Sequence, residues 1–91
     1  MDLLACRKAL DEIDSQIVDL FEKRMEICGN VARSKIESGK AVFDPVREQQ
    51  KLDAVKELAH GEFNQQAVQA LFTQLMTLRR RCQYGLLAEH G

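Results

Sequence analysis

Residues 3–36 read LLACRKALDEIDSQIVDLFEKRMEICGNVARSKI, and how this stretch folds decides the architecture. No Gly or Pro interrupts it before Gly29. Apolar side chains recur at alternating steps of three and four residues, at Leu3, Cys6, Leu10, Ile13, Ile17 and Leu20, then at Ile27 and Val31. That is a heptad-like stripe along one face of a single long helix. The seam position between Leu20 and Ile27 falls on Arg24, a cation where the pattern asks for a hydrocarbon. At about 1.5 Å per residue the helix is a rod about 50 Å long. A compact chain of 91 residues has a radius of gyration near 12 Å, hence a diameter of about 30 Å. The rod overhangs any globule the chain builds alone, so its seam is expected to be covered by a second copy in an obligate homodimer.

The rest of the chain continues the helical reading. Asp2 is placed to cap the first helix and Gly39 to end it. Gly29 marks either a close backbone approach or, more plainly, a tolerated weak spot costing up to about 1 kcal/mol relative to Ala. After a short loop at 40–43, Asp44 and Pro45 supply an N-cap and a first-turn proline for a second helix. That helix runs to about Ala59, with Val46, Leu52 and Val55 expected to face inward. The run His60, Gly61, Glu62 breaks it, and Asn64 is the expected cap of a third helix reaching about Glu89. The expected buried stripe of this helix is Val68, Leu71, Phe72, Leu75, Met76, Cys82 and Leu86. The fold class is all-α: three helices, long, short and long, in one domain spanning residues 1–91.

Composition narrows the function classes. Thirteen basic against fourteen acidic residues give a net charge of −1, which supplies no global attraction to nucleic acid or membrane. The three cysteines, Cys6, Cys28 and Cys82, all sit in helical periodicity. They read as small buried hydrophobes in a reducing compartment rather than a disulfide framework. His60 and His90 are far apart and no CxxC occurs, so no metal site is expected. Polar residues interrupt every apolar run and no signal peptide is evident, so the expected location is cytoplasmic.

The polar residues set into apolar faces carry the functional information, because a buried cation is expensive unless an anion meets it. Arg24 and Lys35, eleven residues apart, share a face within about 20° and lie about 16 Å apart along the axis. Two long side chains leaning together could hold one small molecule. Arg7 is about 25 Å before Arg24 and a quarter turn off that face. It reaches such a site only from the other chain of an antiparallel dimer. Each residue also has an ordinary reading. Arg24 is then a seam specificity device paired with a partner's acid, Lys35 a snorkelling lysine and Arg7 an exposed helix residue. Arg47 and Glu48 become a solvated first turn, and Arg79, Arg80 and Arg81 a solvated face.

Taken as a set, Arg7, Asp14, Arg24, Val31, Lys35, the segment Val42, Phe43, Asp44, Pro45, Val46, Arg47, Glu48, and finally Gln83 resemble the all-helical chorismate mutase family. The resemblance runs from about Leu3 to Leu87, and the spacing of several polar residues makes it specific. It implies an intertwined helical homodimer in which each first helix spans two active sites. By the same resemblance, Arg7 crosses to the partner's site and binds the substrate carboxylates with Arg24. Lys35 and Gln83 hydrogen-bond the ether oxygen of the breaking bond. Glu48 meets the ring hydroxyl, helped by the backbone near Asp44, Arg47 supports the carboxylate network, and Val31 and Met76 form apolar walls. The family often has a small hydroxyl residue where Arg79 stands; an arginine there either adds a carboxylate contact or points outward.

The chemistry so implied is a unimolecular [3,3] rearrangement of chorismate to prephenate, within Phe and Tyr biosynthesis, which calls for no nucleophile, metal or cofactor. The work left to the protein is to orient a flexible dianion, a task for paired arginines, and to stabilise charge growing on the ether oxygen. Two rivals remain. An isochorismate pyruvate-lyase would use the same cations on a related substrate, although Glu48 favours the mutase. A non-catalytic dimerisation or regulatory module would be expected to lose Lys35, Arg24 or Gln83, and all three are present. A nucleic-acid-binding dimer rests on Arg79, Arg80 and Arg81 alone, against the net charge.

Overall fold

The structure, a computed structural model, describes residues 2–41 and 43–90, His90 by its backbone alone. Val42, which belongs to the segment quoted for the family resemblance, lies outside the described residues. Three helices make up the chain: α1 (Leu3–Ser38), α2 (Pro45–Leu58) and α3 (Glu62–His90). Their boundaries follow from local chemistry. Asp2 accepts a hydrogen bond from the Ala5 backbone N–H at 2.7 Å and so caps α1. Gly39 ends α1 at φ 73°, a left-handed conformation that favours glycine. The N–H of Lys40 then donates back to the Lys35 carbonyl at 2.8 Å. Asp44 caps α2 by accepting from the Arg47 N–H at 3.0 Å, with Pro45 in the first turn.

The third cap differs from the expectation. Helix α3 begins at Glu62, so Asn64 lies inside its first turn rather than ahead of it. Gly61, at φ 86°, makes the reversal, and its carbonyl accepts the first helical bond, from Gln65 N–H at 3.0 Å. The Gln65 side chain also donates to the Ala59 carbonyl at 3.3 Å, tying the turn to the end of α2.

Helix α3 is the common wall, against which both α1 and α2 pack. Only the C-terminal half of α1 takes part, burying Cys28, Gly29 and Ala32. Val55 of α2 and Met76 and Gln83 of α3 complete the buried set. Two apolar residues expected inside are not. Val46 is 66% exposed, because nine residues at 100° each place it on the face of α2 opposite Val55. Leu71 is 57% exposed, about 140° round α3 from Met76. Gly29 is buried but a Cβ there would meet only the Arg33 guanidinium, at 3.6 Å. It is a weak spot, not a close approach.

The molecule measures 54 × 26 × 14 Å, with a radius of gyration of 16.4 Å. A compact chain of this length would have one of about 12 Å. The N-terminal half of α1 extends past α2 and α3, and Leu3, Leu10, Ile13, Ile17 and Leu20 along its seam are all exposed in the single chain.

Candidate active site

The cationic residues converge where the C-terminal half of α1, the first turns of α2 and the middle of α3 meet. Arg24 from α1, Arg47 and Lys51 from α2, and Arg79 from α3 line a cavity of about 160 Å³. Its apolar wall is Ile27, Cys28 and Val31, one face of α1. Arg24 is half-buried and stacks over the Phe72 ring at 5.3 Å from the centroid, which fixes a guanidinium at a seam position without a carboxylate. Arg47 and Lys51 stand one turn apart on α2 and so share a face.

Glu48 is the acid of this region. Its side chain is 11% exposed and accepts from Arg79 at 3.2 Å and also from Arg80. Arg80 in turn lies over the Phe43 ring, 5.1 Å from its centroid, so the α1–α2 loop, α2 and α3 are joined through one guanidinium. Arg79 therefore turns inward. The solvated-face reading holds for Arg81, which is exposed, and fails for Arg79 and Arg80, which are half-buried on Glu48. The reason is helical phase: Arg80 follows the buried Met76 by four residues. Arg24, Arg47 and Lys51 pair with no carboxylate among the described residues.

The other expected residues lie around this centre rather than in its lining. Lys35 is half-buried on α1, one turn beyond Val31. Gln83 is one turn beyond Arg79 and only 1% exposed. Its Oε1 has no hydrogen-bond partner, and neither has the buried Nε of Arg79. Native proteins rarely leave buried polar atoms unmatched, so these two atoms stand out in the region. Met76, 2% exposed, packs in the core beneath Gln83. Asp44 spends a carboxylate oxygen on the α2 cap. Arg7 is exposed near the start of α1, about 25 Å along the axis from Arg24; the fold does not bring it to the cavity of its own chain. Lys51 was not singled out by the sequence reading, although its spacing of four from Arg47 on a helix would have found it.

Larger clefts at the Gly39 end of α1, of about 320 and 390 Å³, lack this convergence. The first sets Arg33 against Glu37 and Glu89, and the second is walled by Phe43, Tyr84 and Leu87. Arg24 and Lys51 are half-buried and Arg47 is exposed, so solvent screens part of their mutual repulsion and a bound anion would relieve the rest. No helix of the described residues is long and apolar enough to cross a membrane.

The chain is thus an all-helical protein that gathers unpaired cations from two helices onto one apolar wall. The chain belongs to the chorismate mutase type II family, whose sequence pattern matches residues 6–84. A stretch of 50 residues is also similar to a 3-dehydroquinate dehydratase of Pyrobaculum aerophilum, at 42% identity. That match covers 55% of this chain and 17% of the relative, so the chain spans about a sixth of that protein's length.

Proposed function

We propose that the protein converts chorismate to prephenate in aromatic amino acid biosynthesis, working as a homodimer. The observation that carries this reading is the cavity in which Arg24, Arg47 and Lys51 face one another without a countercharge. Chorismate is a dianion with a ring, attracted by these cations and met by the apolar surface of Ile27 and Val31. Binding it in the reactive diaxial form removes most of the orientational freedom that opposes a unimolecular rearrangement. As the C–O bond breaks, negative charge grows on the ether oxygen. An ammonium from Lys35 and the amide of Gln83 would stabilise that charge more than they stabilise the ground state. Arg7 would arrive from the partner protomer, since the exposed seam of α1 gives the second chain its docking line. The likeness of one segment to part of a 3-dehydroquinate dehydratase is in keeping with a place among enzymes of aromatic-compound synthesis.

A second reading keeps some weight. Glu48, the residue that would meet the ring hydroxyl in a mutase, is engaged by Arg79 and Arg80. An isochorismate pyruvate-lyase would not need it free. One assay separates the two: loss of chorismate absorbance with chromatographic identification of products, and isochorismate in parallel. Prephenate is the expected product, and Lys35→Ala should lower turnover at least about 10²–10³-fold, as loss of an oxyanion donor does elsewhere. Pyruvate from isochorismate would move the assignment to the lyase, and near-native turnover by Lys35→Ala would remove the ether-oxygen role.

A further inference from the structure

We propose that Lys51 is a further substrate-binding residue, its ammonium receiving one carboxylate of a dicarboxylate ligand alongside Arg24 and Arg47. This deepens the functional reading above and rests on it for the identity of the ligand. Glu48 lies three residues before Lys51 on α2, a spacing at which acid and lysine ordinarily meet on a helix surface. Glu48 turns instead to Arg79 and Arg80 on α3. Lys51 is left half-buried at the cavity wall, where a surface lysine would extend into solvent.

Charge counting gives the ligand class. Glu48 is shared between Arg79 and Arg80, and the other three cations in the lining, Arg24, Arg47 and Lys51, have no carboxylate partner among the described residues. A monoanion would leave two of the three without a countercharge, and a dianion only one, in a cavity of about 160 Å³. A compact dianion with an apolar body compensates more of this charge than a monoanion does and suits the wall of Ile27, Cys28 and Val31. Arg47 and Lys51, one turn apart, present their donors to the same side, so a carboxylate between them is gripped from both.

The test compares full-length wild type with Lys51→Met, which keeps the stem and removes the charge, Lys51→Gln as a second neutral variant, and Lys51→Arg. Helicity by circular dichroism selects the neutral variant that folds. With chorismate, the neutral variant should raise KM at least about tenfold while kcat changes much less, and Lys51→Arg should restore KM. A KM unchanged in the neutral variant, or a loss confined to kcat, overturns the proposal. Should wild type fail to turn over chorismate, the mutase reading falls. The binding proposal is then read with phthalate, a stable ring dicarboxylate. Thermal stabilisation of wild type by phthalate that is lost in the neutral variant sustains it, and equal stabilisation, or none of the wild type, overturns it.

Discussion

Glu48 and Gln83 show two opposite ways of holding a polar group inside a small protein. Glu48 meets two guanidiniums, each about a quarter exposed, so its charge is compensated without being fully desolvated. Glu48→Gln keeps the shape and removes the charge. It should lower the unfolding free energy by about 1–3 kcal/mol, since both arginines then lack a countercharge; a urea titration reads this, and an unchanged midpoint would show that the pairs contribute nothing. Gln83 is the reverse case, buried with Oε1 unmatched. Gln83→Met, nearly the same size without the polar atoms, should leave the melting temperature unchanged or higher while lowering turnover of chorismate. A variant that is less stable and fully active would make Gln83 a structural residue. These two roles were legible to different degrees. Gln83 could be picked out by its motif, but its burial could not, and nothing in a run of three arginines says which two turn inward.

At the scale of elements, the helices follow rules that act over three or four residues. Asp2 and Asp44 cap, Pro45 opens and Gly39 closes, each through a backbone group one turn away or less. The failures are failures of phase. Val46 fitted an apolar pattern yet stands opposite Val55, and Asn64 looked like a cap although Gly61 already makes the turn. Gly29 offers an element-scale prediction. Its φ is ordinary and a Cβ would find normal van der Waals contact, so Gly29→Ala should stabilise the protein by about 0.5–1 kcal/mol in thermal or urea unfolding. A destabilised Gly29→Ala protein would mean that something packs against this glycine in the assembled state.

The whole molecule is a rod with a partial core. A chain whose radius of gyration is 16.4 Å, with Leu10, Ile13, Ile17 and Leu20 exposed in one line, has more apolar surface than it covers by itself. Sedimentation is expected to give twice the protomer mass of 10.4 kDa. Leu20→Lys should weaken that association, the introduced charge being desolvated at the seam. The proposed dimer makes a sharper prediction about Arg7. Arg7→Ala and Arg24→Ala proteins, each inactive, are mixed, unfolded and refolded together. If Arg7 serves the partner's site, each mixed dimer regains one intact site, and activity returns to about a quarter of wild type in a random mixture. No recovery on mixing would place Arg7 outside the site.

By itself the sequence determined three helices, their caps and a first helix too long for its own chain, because propensity, capping and apolar periodicity act between near neighbours. It also carried the cation pattern of the family. Tertiary structure alone decided how those cations are used. Glu48 and Arg79 are 31 residues apart and meet only because α3 packs along α2. That meeting withdraws Arg79 into an ion pair and leaves Lys51 facing the cavity beside Arg24 and Arg47. Which charges are neutralised and which stay available to a ligand depends on distances across helices, and no spacing along one helix encodes them.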